Sequence, residues 1–475
     1  MLNEDIMDKD YIYPTIQLLD NEKNTSLDKN DIIVNSKRLQ KVLISFNVNA
    51  KVENVIVGPT ITLYEIKLGN GVRVSKIKNL KEDLAYNIGR RVTNIQIISQ
   101  KGLVGIEVEN VTKNIVKLKE IIDTEEFRKS KSMLTIALGK DIYDNNKIID
   151  IEKTSHILIS GTACSGKSVF LHNIINSIMF KANPEAVRFL MINTSTSELS
   201  IYNEIPHLLT PIINVDSKGL EALAWIVQEI KNRYTMFAGI GVKDYKQYNK
   251  REDIAEKLPS IIIIIDEYAD FIMLDRKKEK EDLIKYIVQN AEKVGIYIII
   301  TTELPSRNVV RGSIKANINT RVAFKVTSQA ESKTILDTVG AEKLFGEGDM
   351  LFKERGKIGC VRCQCAYLSE NEIKRIVDFV KVQKNKYKSV NFEKKIEQVE
   401  TNEQKNDGID PILTEVIRVV VEEKYVSTSF IQRKFKIGYA RAARIIDQME
   451  ERGIISTYME SKPRKVLVSK TQRDK

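Results

Sequence analysis

The chain has 475 residues, 42% of them hydrophobic and 29% charged, with a formal net charge of +11. That apolar content excludes a disordered chain, and the length allows about two to four domains. The basic excess favours an anionic partner such as nucleic acid, and no apolar run reaches the roughly 18 residues that a membrane span needs.

The first ten residues are acidic and lack the basic start and apolar core of a secretion signal, so a cytoplasmic location is expected. Residues 1–30 are polar, with Tyr11, Tyr13 and Pro14 as a candidate docking segment. The pattern then predicts a helix over 31–43 and strands over 54–57, 61–68 and 72–74. Gly58-Pro59 and Gly69-Asn70-Gly71 supply the turns between them. A helix over 79–90 and a hairpin of 95–99 with 102–108 complete a small α+β domain over 31–130.

Residues 131–385 alternate strands and helices, which predicts a parallel sheet. A short apolar strand at 157–159 runs into Gly161, four further residues, then Gly166, Lys167 and Ser168. That is the spacing of a phosphate-binding loop, and a helical pattern follows from Val169. Glycines let the backbone turn its N–H groups inward, at the N-terminus of the helix. Gly161, Thr162, Ala163, Cys164, Ser165, Gly166, Lys167, Ser168 and Val169 are therefore the candidate ATP contacts. Lys167 is placed to reach the β- and γ-phosphates, and Ser168 to ligate Mg²⁺.

Strand 188–193 and a helix over 220–236 carrying Trp225 come next. Five consecutive isoleucines, Ile261 to Ile265, then read as a strand buried on both faces, ending in Asp266-Glu267. Ligands of such sheets bind beyond the carboxyl ends of the strands. Asp266 is the candidate second Mg²⁺ ligand, through water, and Glu267 the candidate base for the attacking water. A helix over 278–294 and a strand over 296–302 follow. The strand ends in Thr301-Thr302-Glu303, either a γ-phosphate sensor or a surface cap. A further strand spans 321–326. Cys360, Cys363 and Cys365 suggest a metal cluster, but a strand over 359–368 would put only Cys363 and Cys365 on one face, and no fourth ligand is near.

Residues 386–408 are rich in Lys, Glu, Asn and Gln and read as a flexible linker. Residues 409–468 regain periodicity: helices over 412–423, 427–435 and 440–452, then strands over 454–456 and 465–468 around a basic loop. This is a winged helix-turn-helix, a DNA-reading form. From 409 to 475 there are 14 Lys and Arg against 9 Asp and Glu. Arg441, Arg444 and Asp447 fall close to one face of the third helix and are the candidate DNA contacts; a merely solvated basic face is the alternative.

Taken together, the residues resemble the FtsK/SpoIIIE family of double-stranded DNA translocases. The resemblance starts with Gly58-Pro59-Thr60, Gly71-Val72-Arg73-Val74 and Val104-Gly105-Ile106-Glu107, which are similar to the family's α domain. Ala137-Leu138-Gly139-Lys140-Asp141 resembles the entry to its motor. The phosphate loop, Pro206-His207-Leu208-Leu209-Thr210-Pro211, Asp266-Glu267-Tyr268-Ala269-Asp270, Thr320-Arg321 and Gly348-Asp349-Met350-Leu351 resemble the motor itself. Ile437-Gly438-Tyr439 and Arg441-Ala442-Ala443-Arg444-Ile445 resemble the winged-helix γ domain, which orients the motor on DNA.

The resemblance implies an α/β fold with a RecA-like P-loop motor, a small N-terminal domain and a winged-helix tail. It implies a homo-hexameric ring around double-stranded DNA, driven by ATP, with a recombinase or transfer machine as a further partner. It also implies sites completed by an arginine from the next subunit. Arg321 is the candidate, with a structural salt bridge as the alternative. The family's membrane-spanning N-terminal region has no counterpart in this sequence.

Several positions depart from the family. Asn193-Thr194-Ser195 stands where the family often has Asp-Pro-Lys, and Thr302-Glu303-Leu304-Pro305 where it has Thr-Gln-Arg-Pro. Ala440 and Asp447 replace an Asn and a Glu in the reading helix. Two rival readings stay open: a coupling ATPase serving a transfer machine, and a nucleotide-gated DNA-binding regulator.

Overall fold

The computed structural model describes residues 11–21, 29–193, 198–214, 216–273, 278–306, 309–383, 390, 412–421, 423, 425–435, 438–456 and 464–467. The chain divides into two compact units, Met1–Phe392 and Glu393–Lys475. The linker expected at 386–408 lies, apart from residue 390, outside the described residues.

Near the N-terminus, alternating apolar residues build a four-stranded antiparallel sheet. Its strands are β1 (Ala50–Val57), β2 (Ile61–Leu68), β3 (Val92–Ile98) and β4 (Leu103–Glu109), in the order β1-β2-β4-β3. Helix Lys29–Ser45 covers one face, with Leu39 and Leu43 packed in one core with Tyr64, Ile66, Leu84 and Ile106. The strand expected at 72–74 is not formed. Val72 sits in a turn, and helix Val74–Asn79 begins directly after Arg73. The helix expected at 79–90 forms over Lys81–Ile88, and Leu80 separates it from the helix Val74–Asn79 before it. Val72, Val74 and Leu80 all pack against the same core, so tertiary burial overrides the local β preference of the valines.

The larger sheet has nine strands. They are β5 (Thr135–Asp141), β6 (Asn146–Asp150), β7 (Ile157–Ser160), β8 (Val187–Asn193), β9 (Ser260–Asp266), β10 (Ile296–Thr302), β11 (Thr320–Ala323), β12 (Asp349–Lys353) and β13 (Val361–Cys365). Their order is β6-β5-β13-β12-β11-β7-β10-β9-β8. The sheet is mixed, where the alternating pattern had predicted a parallel one. Strands β11, β7, β10, β9 and β8 are parallel, and β12, β13, β5 and β6 extend the sheet antiparallel. Within the extension β5–β6 and β12–β13 are antiparallel pairs joined by short connections without a crossover helix, so helix periodicity gives no sign of them.

The isoleucine run shows why the parallel half is stable. Ile262, Ile264 and Ile299 enter the core on one face, while Ile261, Ile263, Ile265, Ile298 and Ile300 enter the core on the other. Full burial of one such side chain contributes roughly 1.5–3 kcal/mol. Cys363 and Cys365 share the inner face of β13, 1% and 2% exposed, in the first of these cores.

The N-terminal segment docks on this unit. Ile12 and Gln383 exchange two hydrogen bonds, of 2.9 and 2.8 Å. Asp20 pairs with Arg375 at 2.5 Å, and the Tyr11 ring meets His207 edge-on at 5.7 Å.

The second unit contains helices Leu413–Val420, Thr428–Phe435 and Tyr439–Glu451, with β14 (Tyr425–Val426) paired to β15 (Arg464–Lys465). Leu413, Val416, Ile431, Ala442, Ile445 and Met449 form its core. The wing's first strand comes from 425–426, before the helix-turn-helix. The expected strand at 454–456 contributes one bridge, Ile455 to Val466.

Candidate functional site

Parallel register decides which residues meet. Strand β10 lies between β7 and β9, with Thr302 opposite Ser160 and Ile300 opposite Ile265. The end of β10 therefore stands between the loop that follows β7 and the acidic pair that ends β9. The Ser160 hydroxyl donates to the Thr302 carbonyl at 2.8 Å and ties two of these ends together.

The loop residues 161–166 connect β7 to helix Lys167–Met179. Gly166 has φ of 120°, a conformation that a side chain resists. A Cβ on Gly161 would stand 2.6 Å from Cβ of Phe324, and one on Gly166 would stand 2.7 Å from the backbone nitrogen of Gly348. The loop is braced from outside: the Thr162 N–H donates to the Lys325 carbonyl, and the Gly348 N–H to the Ser165 carbonyl, both at 2.9 Å. Behind it, Asn173 donates to the Ala137 carbonyl at 2.6 Å and anchors the helix on β5.

Lys167 is 7% exposed. Its Nζ donates to the Thr162 carbonyl at 2.9 Å and to Glu303 Oε1 at 2.8 Å. Lys167, Ser168, Asp266, Glu267, Glu198, Asp270 and Glu303 line one cleft of about 320 Å³. The structure thus brings together the loop lysine, the loop serine and both acidic candidates. Thr301 is the joint between the acidic pair. Its hydroxyl donates to Asp266 Oδ1 at 2.6 Å and accepts from the Glu267 N–H at 3.0 Å. The Glu267 carboxylate accepts from the Glu303 N–H at 2.9 Å. Burial pushes the Asp266 carboxyl above its ordinary range, against the Thr301 hydrogen bond. Burial also raises Glu267, against the Glu303 N–H.

A second cavity, of about 750 Å³, opens on the same loop and falls in the size range of nucleotide sites. Ala163, Cys164, Gly166, Lys167, Ser168 and Val169 form one side. Thr60, Asn114 and Ile115 from the N-terminal part of the chain, with Gly348, Gln364 and Tyr367, form the other. Lys113 and Glu347, 3.2 Å apart, pair at its edge. Thr60 and Gly348 lie in segments that resemble the family, but no local motif joins them to Asn114, Ile115, Gln364 and Tyr367 as one wall. They come from four separate stretches and meet only because the antiparallel extension places β12 and β13 beside the small domain.

Arg321 does not join the site. It is 5% exposed, and four of its five N–H groups donate within its own chain. Nε donates to the Ile318 carbonyl, Nη1 to Ile335 and Asp337, and Nη2 to Lys315. An arginine acting in a neighbouring subunit would have to leave these four bonds and a buried position. Within this chain the arrangement is that of the structural salt bridge, the alternative reading of Arg321. Asp337 also receives Lys315 and Lys353 at 2.7 and 2.8 Å; burial raises its pKa, but these bonds outweigh burial and hold the carboxyl below its usual range.

Of the DNA-reading candidates, Arg441 is partly buried and Asp447 is exposed, 3.8 Å from Arg464 of the wing. The Arg444 side chain lies outside the described residues. Among the described residues, no helix is long and apolar enough to cross a membrane.

Comparison with known proteins agrees module by module. Residues 13–110 match the FtsK alpha domain, 117–307 the FtsK/SpoIIIE family, and 407–469 the FtsK gamma domain. The DNA translocase FtsK of Clostridium tetani is 44% identical over 470 residues, covering 97% of this chain and 63% of that protein. The DNA translocase SpoIIIE of Bacillus subtilis is 40% identical over 481 residues, covering 99% of this chain and 60% of that protein. The chain thus spans about three fifths of the length of these relatives.

Among solved structures, the conjugation coupling protein TcpA of pCW3, with ATPγS, aligns at a TM-score of 0.52 and 18% identity, over 73% of this chain and 99% of that one. A type VII secretion ATPase, EccC of Thermomonospora curvata, aligns at 0.50 and 18%, over 56% and 34%. These two likenesses carry the P-loop motor fold and nothing further. The matched modules follow one another in a single order from residue 13 to residue 469, and the chain belongs to the FtsK/SpoIIIE family.

Proposed function

We propose that this chain is an ATP-hydrolysing motor that moves along double-stranded DNA as a homo-hexameric ring, oriented by its winged-helix tail. One observation carries the reading: Lys167, Ser168, Asp266 and Glu267 line a single cleft at the carboxyl ends of β7 and β9. The residues fit a nucleoside triphosphate with Mg²⁺. The loop is glycine-shaped where backbone must approach phosphate, and Lys167 already holds an anionic group, the Glu303 carboxylate.

Among the described residues five carboxylates share the cleft with one ammonium, so a polyphosphate entering alone would be repelled. Mg²⁺ supplies the missing positive charge, and Ser168 and Asp266 would hold it. Among the described residues no group of three acidic, His or Cys side chains forms a metal site. Such an ion needs phosphate oxygens as further ligands, which is the usual habit of Mg²⁺. Glu267 would orient and deprotonate the attacking water; its raised pKa makes it a stronger base than an ordinary carboxylate.

The first test is ATPase activity with and without linear duplex DNA, followed by displacement of a triplex strand. Stimulation by duplex and ATP-dependent displacement are expected. Absence of both sinks the motor reading. Asp266→Asn should reduce Mg²⁺-dependent turnover about a hundredfold or more. Turnover at the wild-type rate would remove Asp266 from the site.

A DNA-binding regulator gated by nucleotide is the second reading. It is favoured by Glu303 on Lys167, and it predicts duplex binding without stimulated hydrolysis. The division of labour has its own test. The motor has to travel over any sequence, so its grip should fall on phosphates, while Arg441, Arg444 and Asp447 would read base edges. Truncation near residue 405 should spare DNA-stimulated hydrolysis. The isolated tail should enrich particular duplexes from a random library at fixed salt, since salt alone shifts affinity strongly. Each good base contact is worth roughly 1–3 kcal/mol of discrimination. A tail that enriches no sequence would be a nonspecific clamp.

A further inference from the structure

Glu303 is the one acidic group in the cleft that holds the loop lysine. Its Oε1 lies 2.8 Å from Lys167 Nζ, while its backbone N–H is fixed to the Glu267 carboxylate at 2.9 Å. It is therefore tethered at the tip of β10, between the loop lysine and the residue that activates water. In the phosphate-loop arrangement the lysine reaches the β- and γ-phosphates, and the water attacks the γ-phosphate. The terminal phosphate has to lie between those same two side chains. The Glu303 side chain is 45% exposed, so it can swing out, but its backbone stays. The carboxylate can then move only within reach of its own side chain, so its charge stays at the rim of the cleft and still opposes the γ-phosphate.

On this basis we propose that Glu303 is a specificity-determining residue of the nucleotide site, an internal anion that competes with the γ-phosphate for Lys167 and so lowers the preference for ATP over ADP. The inference rests on the nucleotide reading above. A diphosphate meets the phosphate loop and the lysine without placing an oxygen against Glu303. A triphosphate has to break the Lys167–Glu303 pair first. Glutamine at this position keeps the shape and loses the charge, so it should release the lysine for phosphate.

The test uses the full chain with Mg²⁺ and calorimetric titration of ATPγS and of ADP. Wild type, Glu303→Gln and Glu303→Ala are compared, each checked for wild-type thermal unfolding. Both variants should tighten ATPγS and leave ADP nearly unchanged, so that the ratio of their affinities rises about tenfold, as removal of one close like charge implies. A rise below about threefold, or weaker binding of ATPγS, overturns the proposal. Weaker binding would make Glu303 a contact to the bound nucleotide or its metal instead. If neither nucleotide binds to wild type or variants, the nucleotide reading itself fails and this inference falls with it. Binding that is intact with an unchanged ratio removes the inference alone.

Discussion

Replacement of Lys167 by alanine should lower ATP hydrolysis by about a thousandfold or more, because among the described residues its ammonium is the only cation lining the cleft. Lys167 is 7% exposed and already directed at an anion, the Glu303 carboxylate, whose place a phosphate would take. The fold should survive the change. Lys167 opens helix Lys167–Met179, where alanine is a strong helix former, and the loop keeps its braces from Lys325 and Gly348. Binding to duplex through the tail should persist. Steady-state phosphate release, with thermal unfolding as a control, checks this. Hydrolysis at the wild-type rate would move the site elsewhere, whereas loss of both hydrolysis and folded structure would make Lys167 a structural residue.

Removal of Arg321 should act on stability and not on chemistry. In Arg321→Ala the carbonyls of Lys315, Ile318 and Ile335 lose a charged donor in a buried place. Asp337 keeps Lys315 and Lys353 and is half exposed, so its share of the loss is small. The carbonyls together account for about 2–4 kcal/mol, because buried acceptors left without donors bear their desolvation in full. For a compact unit spanning Met1–Phe392 the melting temperature should fall by about 2–5 °C. Below that temperature hydrolysis should stay within a few-fold of wild type. An arginine acting between subunits would instead contribute about 10³–10⁵ to the rate. A well-folded Arg321→Ala protein with activity reduced on that scale would reverse the structural assignment. Adding Lys167→Ala subunits to Arg321→Ala subunits should give no more activity than Arg321→Ala alone supplies.

Much of the motor was legible in the sequence because its signals are local. A phosphate loop is defined by backbone needs at fixed spacing, so Gly161, Gly166, Lys167 and Ser168 announce it without any partner. Ile261 to Ile265 announce a strand buried on both faces, and a polar pair immediately after must sit at its carboxyl end. The tail's three helices follow from period and caps in the same way. These are properties of a few consecutive residues, and composition and periodicity express them directly.

Other features depend on which distant stretches meet, and only the tertiary structure decided those. That β10 runs between β7 and β9 is a matter of strand order, and it alone puts Glu303 on Lys167 and Thr301 between Asp266 and Glu267. The antiparallel strands β12, β13, β5 and β6 carry no helix-alternating signal, yet they build the second wall of the larger cavity. Arg321 shows the limit most clearly. A Thr-Arg pair at the head of a strand reads the same whether the arginine reaches outward or folds inward. Its bonds in this chain go to Asp337 and three carbonyls, from residues 315 to 337, whose positions are products of packing. Local spacing determines what a residue can do chemically, and the energy of burying its neighbours determines what it can reach.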